Sequence, residues 1–330
     1  MPTEARPKEG NHQRNNINCS SNTRDTIPPA VKEHFFKDRE MPDLCKDYQV
    51  VGFDADHCIV KYNMQKLTQW MSKVLGEDLH KEAGYPFEIT QMDESYYDIG
   101  LNNAVWDIGN RTVLKLVEGK EVSRAYIGKK ELSREQIVEI YGDPPIFNTL
   151  NYPESIKQVR EPEGAHYTTM TFFDSAKLPM ICWANYLMET GVIKDKTSNE
   201  FAADFFKAAE RQYAHYNNDV VYKIGEYGDY FPAVVKDPTA FIVPQPELRQ
   251  SLETLRKRGV KTFLATNSHV EYAELIMKTT FGDDWKILFD LVCCKSIKPR
   301  FFNDTSIPFY EIDENAPNLM GRPITDSSDL

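Results

Sequence analysis

Three short apolar segments, each followed by polar side chains, constrain the fold of this chain more than any other feature. In chain order they are Tyr48–Phe53, the apolar part of Lys261–Ser268, and Ile287–Cys293. Their length and their β-branched and aromatic content are typical of buried strands. Helical patterns at Glu247–Arg258 and Val270–Phe281 alternate with the last two segments, and such alternation produces a parallel sheet with right-handed crossovers. We therefore predict an α/β fold built on a Rossmann-like parallel sheet.

A helix is predicted shortly after the first of these segments. Asn63 is positioned to cap its N-terminus, and Gly76 is predicted to end it. The apolar residues between them recur at three- and four-residue spacing, and they are Met64, Leu67, Met71, Val74 and Leu75. This pattern is that of a helix with one buried face.

Residues 77–244 have a different pattern, which predicts an α+β insertion between the first apolar segment and the other two. Thr112–Val117 and Glu121–Ile127 alternate about a glycine turn, which favours a β-hairpin. Helices are predicted after the hairpin at Ser133–Gly142, which begins with a capping box, at Met180–Glu189 and at Ser198–Tyr216.

Composition sets the remaining boundaries. Residues 1–45 are polar and rich in Asn, Pro and charge, so we predict a disordered tail there. The sheet domain is predicted to consist of residues 46–76 and 245–302, on either side of the insertion. Residues 303–330 are predicted to be an irregular C-terminal tail, because Pro and Ser occur in it without an apolar run.

Charge and the lack of targeting features exclude several classes of function. Fifty acidic residues against 39 basic ones give a formal net charge of −11, which disfavours general binding to nucleic acid or to an anionic membrane. The N-terminal residues lack the apolar core of a signal peptide, and no stretch of about 18 apolar residues occurs. Six cysteines without a CxxC pattern indicate neither a zinc site nor a disulfide framework. We expect a soluble, cytoplasmic protein.

The polar residues after the three segments form a set suited to phosphoryl transfer. The carboxyl ends of parallel strands meet at one edge of a sheet, where ligands of such folds bind. An ionised Asp54 could attack phosphorus to give an aspartyl phosphate, and Asp56 could act as acid and then base if burial raises its pKa. Thr266 and Asn267 could donate hydrogen bonds to phosphoryl oxygens, and Lys298 could offset their charge. Mg²⁺ would also screen the carboxylates from the substrate phosphate.

Two of these features have simpler interpretations when each is taken alone. A DxD pattern by itself is more typical of a solvated strand end or a turn. His57 is better interpreted as a hydrogen-bonded or solvent-facing histidine than as a metal ligand, because no second histidine lies nearby at ligand spacing. The occurrence of all three motifs at one predicted sheet edge is what favours the catalytic interpretation.

At these motifs the sequence resembles the haloacid dehalogenase superfamily, and within it the cytosolic 5′-nucleotidases and the 5′-nucleotidase domain-containing proteins. Residues 52–62, GFDADHCIVKY, look like the family's GFDxDxTLxxY motif. Residues 263–268, FLATNS, look like FLxTNS, and residues 298–302, KPRFF, look like KPxFF. Phe172–Pro179 is similar to a segment of the family's cap. The resemblance extends loosely from about residue 46 to residue 302.

The resemblance implies a role for each site residue. Asp54 would be the nucleophile and a Mg²⁺ ligand, and Asp56 would be the acid/base with its backbone carbonyl on the metal. Thr266, Asn267 and Lys298 would hold the phosphate. The fold implied is a haloacid dehalogenase core whose insertion forms a cap, where nucleoside selectivity would reside. The implied substrate is a nucleoside 5′-monophosphate or a similar small phosphate ester.

Two departures from the family pattern bear on activity. The family's usual Thr is Cys58 here, which could weaken a local hydrogen bond. A last βα unit with a GDxxxxD motif, whose carboxylates complete the Mg²⁺ shell in the family, is expected after residue 302 and is not found. The alternative function is therefore a catalytically impaired relative that acts in binding or interaction. A third hypothesis is phosphotransfer to an acceptor nucleoside, which the same aspartyl phosphate would permit.

The missing unit also has a structural consequence under this resemblance. In the family fold its strand pairs beside the first strand, so Tyr48–Phe53 is expected to form an open, hydrophobic edge. Three explanations are open: an oligomer or partner subunit covers the edge, the protein is only marginally stable, or the chain is a truncated product.

Overall fold

The computed structural model describes residues 48–99, 104–147, 166–169, 171–212, 225, 227–306, 308–313 and 320–325. The predicted tail, residues 1–45, and the last four residues of the predicted helix Ser198–Tyr216 lie outside these ranges.

The described strands are β1 (Val50–Phe53), β2 (Lys61–Tyr62), β3 (Ala104–Asp107), β4 (Thr112–Leu116), β5 (Val122–Ile127), β6 (Lys130–Glu131), β7 (His166–Thr168), β8 (Ile242–Val243), β9 (Lys261–Ala265), β10 (Leu291–Cys293), β11 (Phe309–Ile312) and β12 (Met320–Ile324). The described α-helices are α1 (Met64–Ala83), α2 (Arg134–Tyr141), α3 (Phe172–Ser175), α4 (Leu178–Glu189), α5 (Ser198–Gln212), α6 (Tyr230–Lys236), α7 (Pro238–Phe241), α8 (Pro246–Lys257), α9 (Val270–Phe281) and α10 (Arg300–Asn303). Among these helices, none combines the length and the apolar character that crossing a bilayer requires.

A parallel sheet is formed by β1, β9 and β10, with β9 between the other two strands. Val50–Phe53 pair with Lys261–Leu264, and Leu291–Cys293 pair with Phe263–Ala265. The predicted α/β architecture with a parallel sheet is therefore confirmed. Helix α9 connects β9 to β10 over the predicted residues. Because the three strands are parallel, their carboxyl ends lie at the same edge of the sheet.

The third strand of this sheet is shorter than predicted. The sequence predicts a strand over Ile287–Cys293, whereas β10 begins only at Leu291. Trp285–Leu288 form a 3₁₀ turn instead, in which both terminal residues are buried. A short apolar run can be buried as a turn or as a strand, so its hydrophobicity could not fix the boundary.

Helix α1 extends past its predicted end. The prediction that Asn63 caps it is confirmed, since the Asn63 side chain accepts a hydrogen bond from the N–H of Lys66. Gly76 does not end the helix but lies buried within it, and the left-handed Gly84 (φ 73°) follows the last turn. A Cβ on Gly76 would lie 3.0 Å from the carbonyl oxygen of Ile89. Glycine at this position therefore allows close packing of the helix against Ile89, and it does not end the helix.

The residues predicted as an insertion contain a five-stranded antiparallel sheet in the order β6-β5-β4-β3-β7. The predicted hairpin is present as β4 and β5, which pair across the turn at Glu118–Lys120. Ser133 and Gln136 form the predicted capping box of α2, and Gly142 follows the end of that helix. Helices α4 and α5 both pack against α1. The domain boundaries, and the role of this part as a cap, stay predictions.

The stretch predicted to be an irregular tail, residues 303–330, contains a β-hairpin. Strands β11 and β12 pair antiparallel, with Phe309 opposite Ile324 and Ile312 opposite Met320. The prediction is wrong for these residues because two short segments, neither apolar enough to indicate a strand alone, satisfy each other's backbone hydrogen bonds.

Two large hydrophobic clusters share helix α1. Leu67 and Met71, in the first half of the helix, belong to the cluster around the parallel sheet. Leu75 and Leu79, in the second half, belong to the cluster that contains Trp106 of the five-stranded sheet. Full burial of a side chain of this size contributes roughly 1.5–3 kcal/mol. Helix α1 therefore couples the two sheets energetically.

Strand β1 is an edge strand within the part of the chain that the structure describes, since β9 is its only partner there. Tyr48 and Val50 are 52% and 54% exposed. The partner or further copy that would cover this edge stays a prediction.

Candidate active site

The predicted site residues lie where β1, β9 and β10 end. Asp54 directly follows β1 and is exposed, whereas Asp56, two residues further on, is half-buried. A tight turn begins at Ala55 and contains Asp56 but not Asp54, since the carbonyl oxygen of Ala55 accepts hydrogen bonds from the N–H groups of Ile59 (3.1 Å) and Val60 (2.9 Å). This turn gives the two carboxylates different surroundings although they are close in sequence.

Lys298 reaches across the sheet edge to Asp54. Its Nζ lies 2.6 Å from Oδ1 of Asp54 and donates to the carbonyl oxygen of Ala265 at 2.8 Å. The same Asp54 oxygen accepts a hydrogen bond from the N–H of Ala55 at 2.8 Å. The Lys298 side chain is 16% exposed and that of Asp54 is 47% exposed. A mostly buried cation thus lies against a carboxylate that solvent and solutes can still reach.

Asn267 holds the backbone of Lys298 rather than its side chain. Oδ1 of Asn267 accepts from the N–H of Lys298 at 2.7 Å, and Nδ2 of Asn267 donates to the Lys298 carbonyl oxygen at 3.3 Å. Thr266 is fully buried, and its hydroxyl oxygen accepts from the N–H of Ser268 at 3.1 Å. The structure therefore brings Asp54, Asn267 and Lys298 together, and Thr266, the residue before Asn267, is buried. Phosphate contacts from these residues stay predictions.

Asp56 is held at both carboxylate oxygens. The hydroxyl of Tyr62 donates to Oδ1 at 2.5 Å, and the hydroxyl of Ser268 donates to Oδ2 at 3.1 Å. Burial is the largest influence on Asp56 and raises its pKa above the usual aspartate value; the neighbouring Asp54 adds to the rise, and the two hydrogen bonds oppose it. Asp56 is thus suited to carry a proton.

Tyr62 stays a hydrogen-bond donor to this carboxylate. Burial, followed by the neighbouring charge of Asp56, raises the pKa of Tyr62 well above its usual value. The hydroxyl of Tyr62 also lies 3.0 Å from that of Tyr272. The phenol is therefore protonated and has polar contacts on both sides.

Aromatic side chains from α3 lie beside this loop. The ring of Phe172 packs against His57 at 4.4 Å between centroids and against Tyr62 at 4.6 Å. His57 is exposed, in agreement with its interpretation as a solvent-facing histidine. The segment that resembles a family cap segment, Phe172–Pro179, thus begins at the sheet edge that carries Asp54.

Three polar residues next to the site were not assigned a role from the sequence. Ser268 and Tyr62 lie within the recognised motifs, so their position was the available signal. Tyr272 lies in α9, where its spacing indicates only a buried helix face. Nothing in the sequence could place its hydroxyl near Tyr62, because that contact joins residues 210 positions apart.

The chemistry of the site partly fits a divalent cation. Asp54 offers an exposed carboxylate, and Asp56 offers a backbone carbonyl; both are the hard oxygen donors that Mg²⁺ takes. Mg²⁺ usually retains several waters and needs only one or two carboxylates together with substrate phosphate. Over the described ranges there is no group of three or more His, Cys, Asp or Glu side chains arranged to hold a metal ion. Mg²⁺ binding by Asp54 and Asp56 stays a prediction.

Comparison with known proteins identifies relatives over most of the chain. Residues 44–329 match the model of the 5′ nucleotidase family. The human 5′-nucleotidase domain-containing protein 1 is 28% identical over 261 residues, which cover 77% of this chain and 54% of that protein. The human 5′-nucleotidase domain-containing protein 2 is 26% identical over 278 residues, which cover 82% of this chain and 48% of that protein. The chain thus spans about half the length of these curated relatives.

The motifs at the sheet edge fall within the matched region, since Asp54 and Lys298 both lie between residues 44 and 329. The resemblance inferred from three short motifs is therefore confirmed over 286 consecutive residues. The chain belongs to the 5′ nucleotidase family.

Proposed function

We propose that this protein is a Mg²⁺-dependent phosphohydrolase of nucleotidase type, which acts on a nucleoside 5′-monophosphate or a similar small phosphate ester. The observation that carries the proposal is the 2.6 Å contact between Lys298 and the exposed Asp54, with Asp56 two residues away in a buried setting. Family membership supports nucleotidase chemistry in general.

The proposed reaction has two steps on Asp54. In the first, a carboxylate oxygen of Asp54 forms a bond to phosphorus, the bond from phosphorus to the ester oxygen breaks, and Asp56 gives its proton to the departing oxygen. In the second, water forms a bond to phosphorus as Asp56 takes a proton from it, and the bond from phosphorus to Asp54 breaks. Free phosphate, the alcohol and the original Asp54 carboxylate result.

Lys298 and Asn267 are placed to offset the negative charge of the substrate's phosphoryl group. The two Asn267 hydrogen bonds fix the Lys298 backbone, and the Lys298 ammonium, 2.6 Å from Asp54, would offset the charge of a phosphoryl group bound at that carboxylate. Mg²⁺, held by Asp54 and the carbonyl of Asp56, would offset charge on the phosphoryl oxygens.

The alternative is a relative that binds phosphate or a partner without turnover. It is favoured by one observation: the described residues contain no group of three or more metal-ligating side chains. Weak Mg²⁺ binding would then leave Lys298 paired with Asp54, and the site would hold anions without activating them.

The test is phosphate release from a panel of nucleoside 5′-monophosphates and generic phosphate esters, with and without Mg²⁺. We expect Mg²⁺-dependent release that falls by at least about 1,000-fold in Asp54→Asn, because the nucleophile is lost. Asp283→Asn is the matched control, since it neutralises an exposed aspartate in the turn after α9.

Two results would contradict the proposal. Equal turnover by the wild type and Asp54→Asn would exclude Asp54 as the nucleophile. An absence of turnover in wild-type protein whose circular dichroism shows it to be folded would favour the binding alternative. Titration calorimetry with inorganic phosphate would then measure anion binding directly.

A further inference from the structure

Asp56 lies at the end of a line of three buried phenols. The hydroxyl of Tyr62 donates to Asp56 at 2.5 Å, the hydroxyls of Tyr62 and Tyr272 lie 3.0 Å apart, and those of Tyr272 and Tyr230 lie 2.9 Å apart. The three tyrosines belong to β2, α9 and α6 and are 3%, 2% and 0% exposed, in that order. The line connects the candidate site to a helix of the segment predicted as an insertion.

The order of donors along this line follows from counting protons. A phenol has one proton to donate, and Oδ1 of Asp56 accepts it whether or not the other carboxyl oxygen carries a proton. Because Tyr62 donates to Asp56, its oxygen must accept from Tyr272. Because Tyr272 then donates to Tyr62, its own oxygen must accept from Tyr230. The hydrogen bonds thus run from Tyr230 through Tyr272 and Tyr62 to Asp56, and hydrogen bonds in such a series strengthen one another.

Both oxygens of Asp56 are then restrained. Tyr62 restrains Oδ1, and Ser268, from the loop after β9, restrains Oδ2. Without Tyr272 the hydroxyl of Tyr62 could rotate about its C–O bond, since no second partner would fix its direction. A proton donor must be held within hydrogen-bond reach and alignment of the departing oxygen.

We propose that Tyr272 and Tyr230 are positioning residues that orient the Tyr62 hydroxyl and thereby fix the Asp56 carboxyl for proton transfer. The role of Asp56 in proton transfer rests on the proposed function, whereas the hydrogen-bonded line itself does not.

The competing explanation is that the three hydroxyls only satisfy one another as buried polar groups. Under that explanation, removal of one hydroxyl lowers stability but leaves Asp56 and its chemistry unchanged. The two explanations therefore differ in spectroscopic and kinetic readouts and not in thermal stability.

The test uses two substitutions that remove a hydroxyl and keep the ring, Tyr62→Phe and Tyr272→Phe. Tyr85→Phe is the matched control, because Tyr85 is also buried and its hydroxyl donates to a carboxylate, Asp204, at 3.1 Å within the other large cluster. One-dimensional ¹H NMR of the metal-free protein detects hydroxyl protons that are buried and strongly hydrogen-bonded as slowly exchanging downfield signals.

We expect one downfield signal to be lost in Tyr62→Phe, to shift in Tyr272→Phe and to be unchanged in Tyr85→Phe. In phosphate release, we expect Tyr272→Phe to lower kcat by roughly 10- to 100-fold, by analogy with the loss of residues that orient the ligands of metal sites. KM should stay close to the wild-type value, because Tyr272 lies behind Asp56 and does not contact the substrate. Tyr85→Phe should keep the wild-type kcat.

The proposal is overturned if no downfield signal depends on Tyr62, or if Tyr272→Phe neither shifts it nor lowers kcat more than Tyr85→Phe does. If wild-type protein has no turnover, the proposed function fails but the NMR comparison still decides whether the tyrosine line holds Asp56. If Tyr62→Phe does not fold, Tyr272→Phe alone decides the result.

Discussion

At the scale of single residues, one contact can decide which side chain a position accepts. Gly52 of β1 lies opposite Phe263 of β9 in the parallel sheet. A Cβ on Gly52 would lie 2.2 Å from the nearest atom of the Phe263 ring, far inside the contact distance of two carbon atoms. The glycine that begins the first motif is therefore required by packing. It allows Phe263 to cover β1 two residues before Asp54.

We expect Gly52→Ala to lower the free energy of unfolding by about 1–3 kcal/mol, the usual cost of overpacking a core contact. Urea unfolding measures this cost. Gly109→Ala is the control, since a Cβ there would meet no atom closer than 3.7 Å. Adding Phe263→Ala should relieve part of the loss, so the double substitution should cost less than the sum of the two single ones. A Gly52→Ala protein as stable as Gly109→Ala would contradict the packing argument.

At the scale of elements, Asp290 joins α8 and β9 just before β10 begins. Its carboxylate accepts from the backbone N–H of Thr262 at 2.9 Å and from Nζ of Lys261 at 3.0 Å, and it also contacts the Arg256 guanidinium. These hydrogen bonds, the one from Thr262 first, lower the pKa of Asp290 to about 2. The start of β10 is thus fixed by charge and hydrogen bonding as well as by strand pairing.

We expect Asp290→Asn to lower the melting temperature at neutral pH. Because the pKa of Asp290 is lower in the folded chain, its stabilisation is complete above the unfolded value of about 4 and is lost as the pH falls through about 2. The difference in melting temperature between wild type and Asp290→Asn should therefore shrink as the pH is lowered from about 4 towards 2. Circular dichroism melts across this range check the prediction, with the exposed Asp283→Asn as control. A difference that does not change with pH would show that the carboxylate charge is not responsible.

At the scale of the whole molecule, helix α1 makes the two sheets interdependent. The described residues from Tyr48 onward form one compact unit, and α1 contributes buried leucines to the clusters around both sheets. Trp106 is buried in one of these clusters and Trp285 in the other. Each tryptophan therefore reports on a different sheet.

We expect both tryptophans to report the same unfolding midpoint in urea. Fluorine NMR of protein labelled with fluorotryptophan gives a signal for each of the four tryptophans, and single Trp→Phe variants assign those of Trp106 and Trp285. Leu75→Ala should lower both midpoints together, by an amount equivalent to about 2–5 kcal/mol, although Leu75 packs in only one cluster. Leu67→Ala, from the other half of α1, is the matched variant and should also lower both unfolding midpoints. Separate midpoints, or a shift confined to one tryptophan, would mean that the sheets unfold independently.

The order of motifs was enough to predict the parallel sheet and the edge where its site residues meet. Asp54 and Lys298 are 244 positions apart, yet their proximity follows from the rule that parallel strands end at a common edge. Local signals were also sufficient for the caps at Asn63 and Ser133, because each depends on residues within one helical turn. They were insufficient at Gly76. Glycine is needed there because a side chain would collide with the backbone of Ile89, and the helix does not end at this residue.

The sequence by itself determined the parallel sheet of the motif strands, the candidate nucleophile, and membership of the family, because these depend on residue type and spacing. Only the tertiary structure decided that Asp54 is exposed while Asp56 is half-buried between Tyr62 and Ser268. It also decided that Tyr272 and Tyr230 extend that contact into the interior. Burial and hydrogen bonds between distant residues depend on how the elements pack against one another. A local sequence pattern does not contain that information.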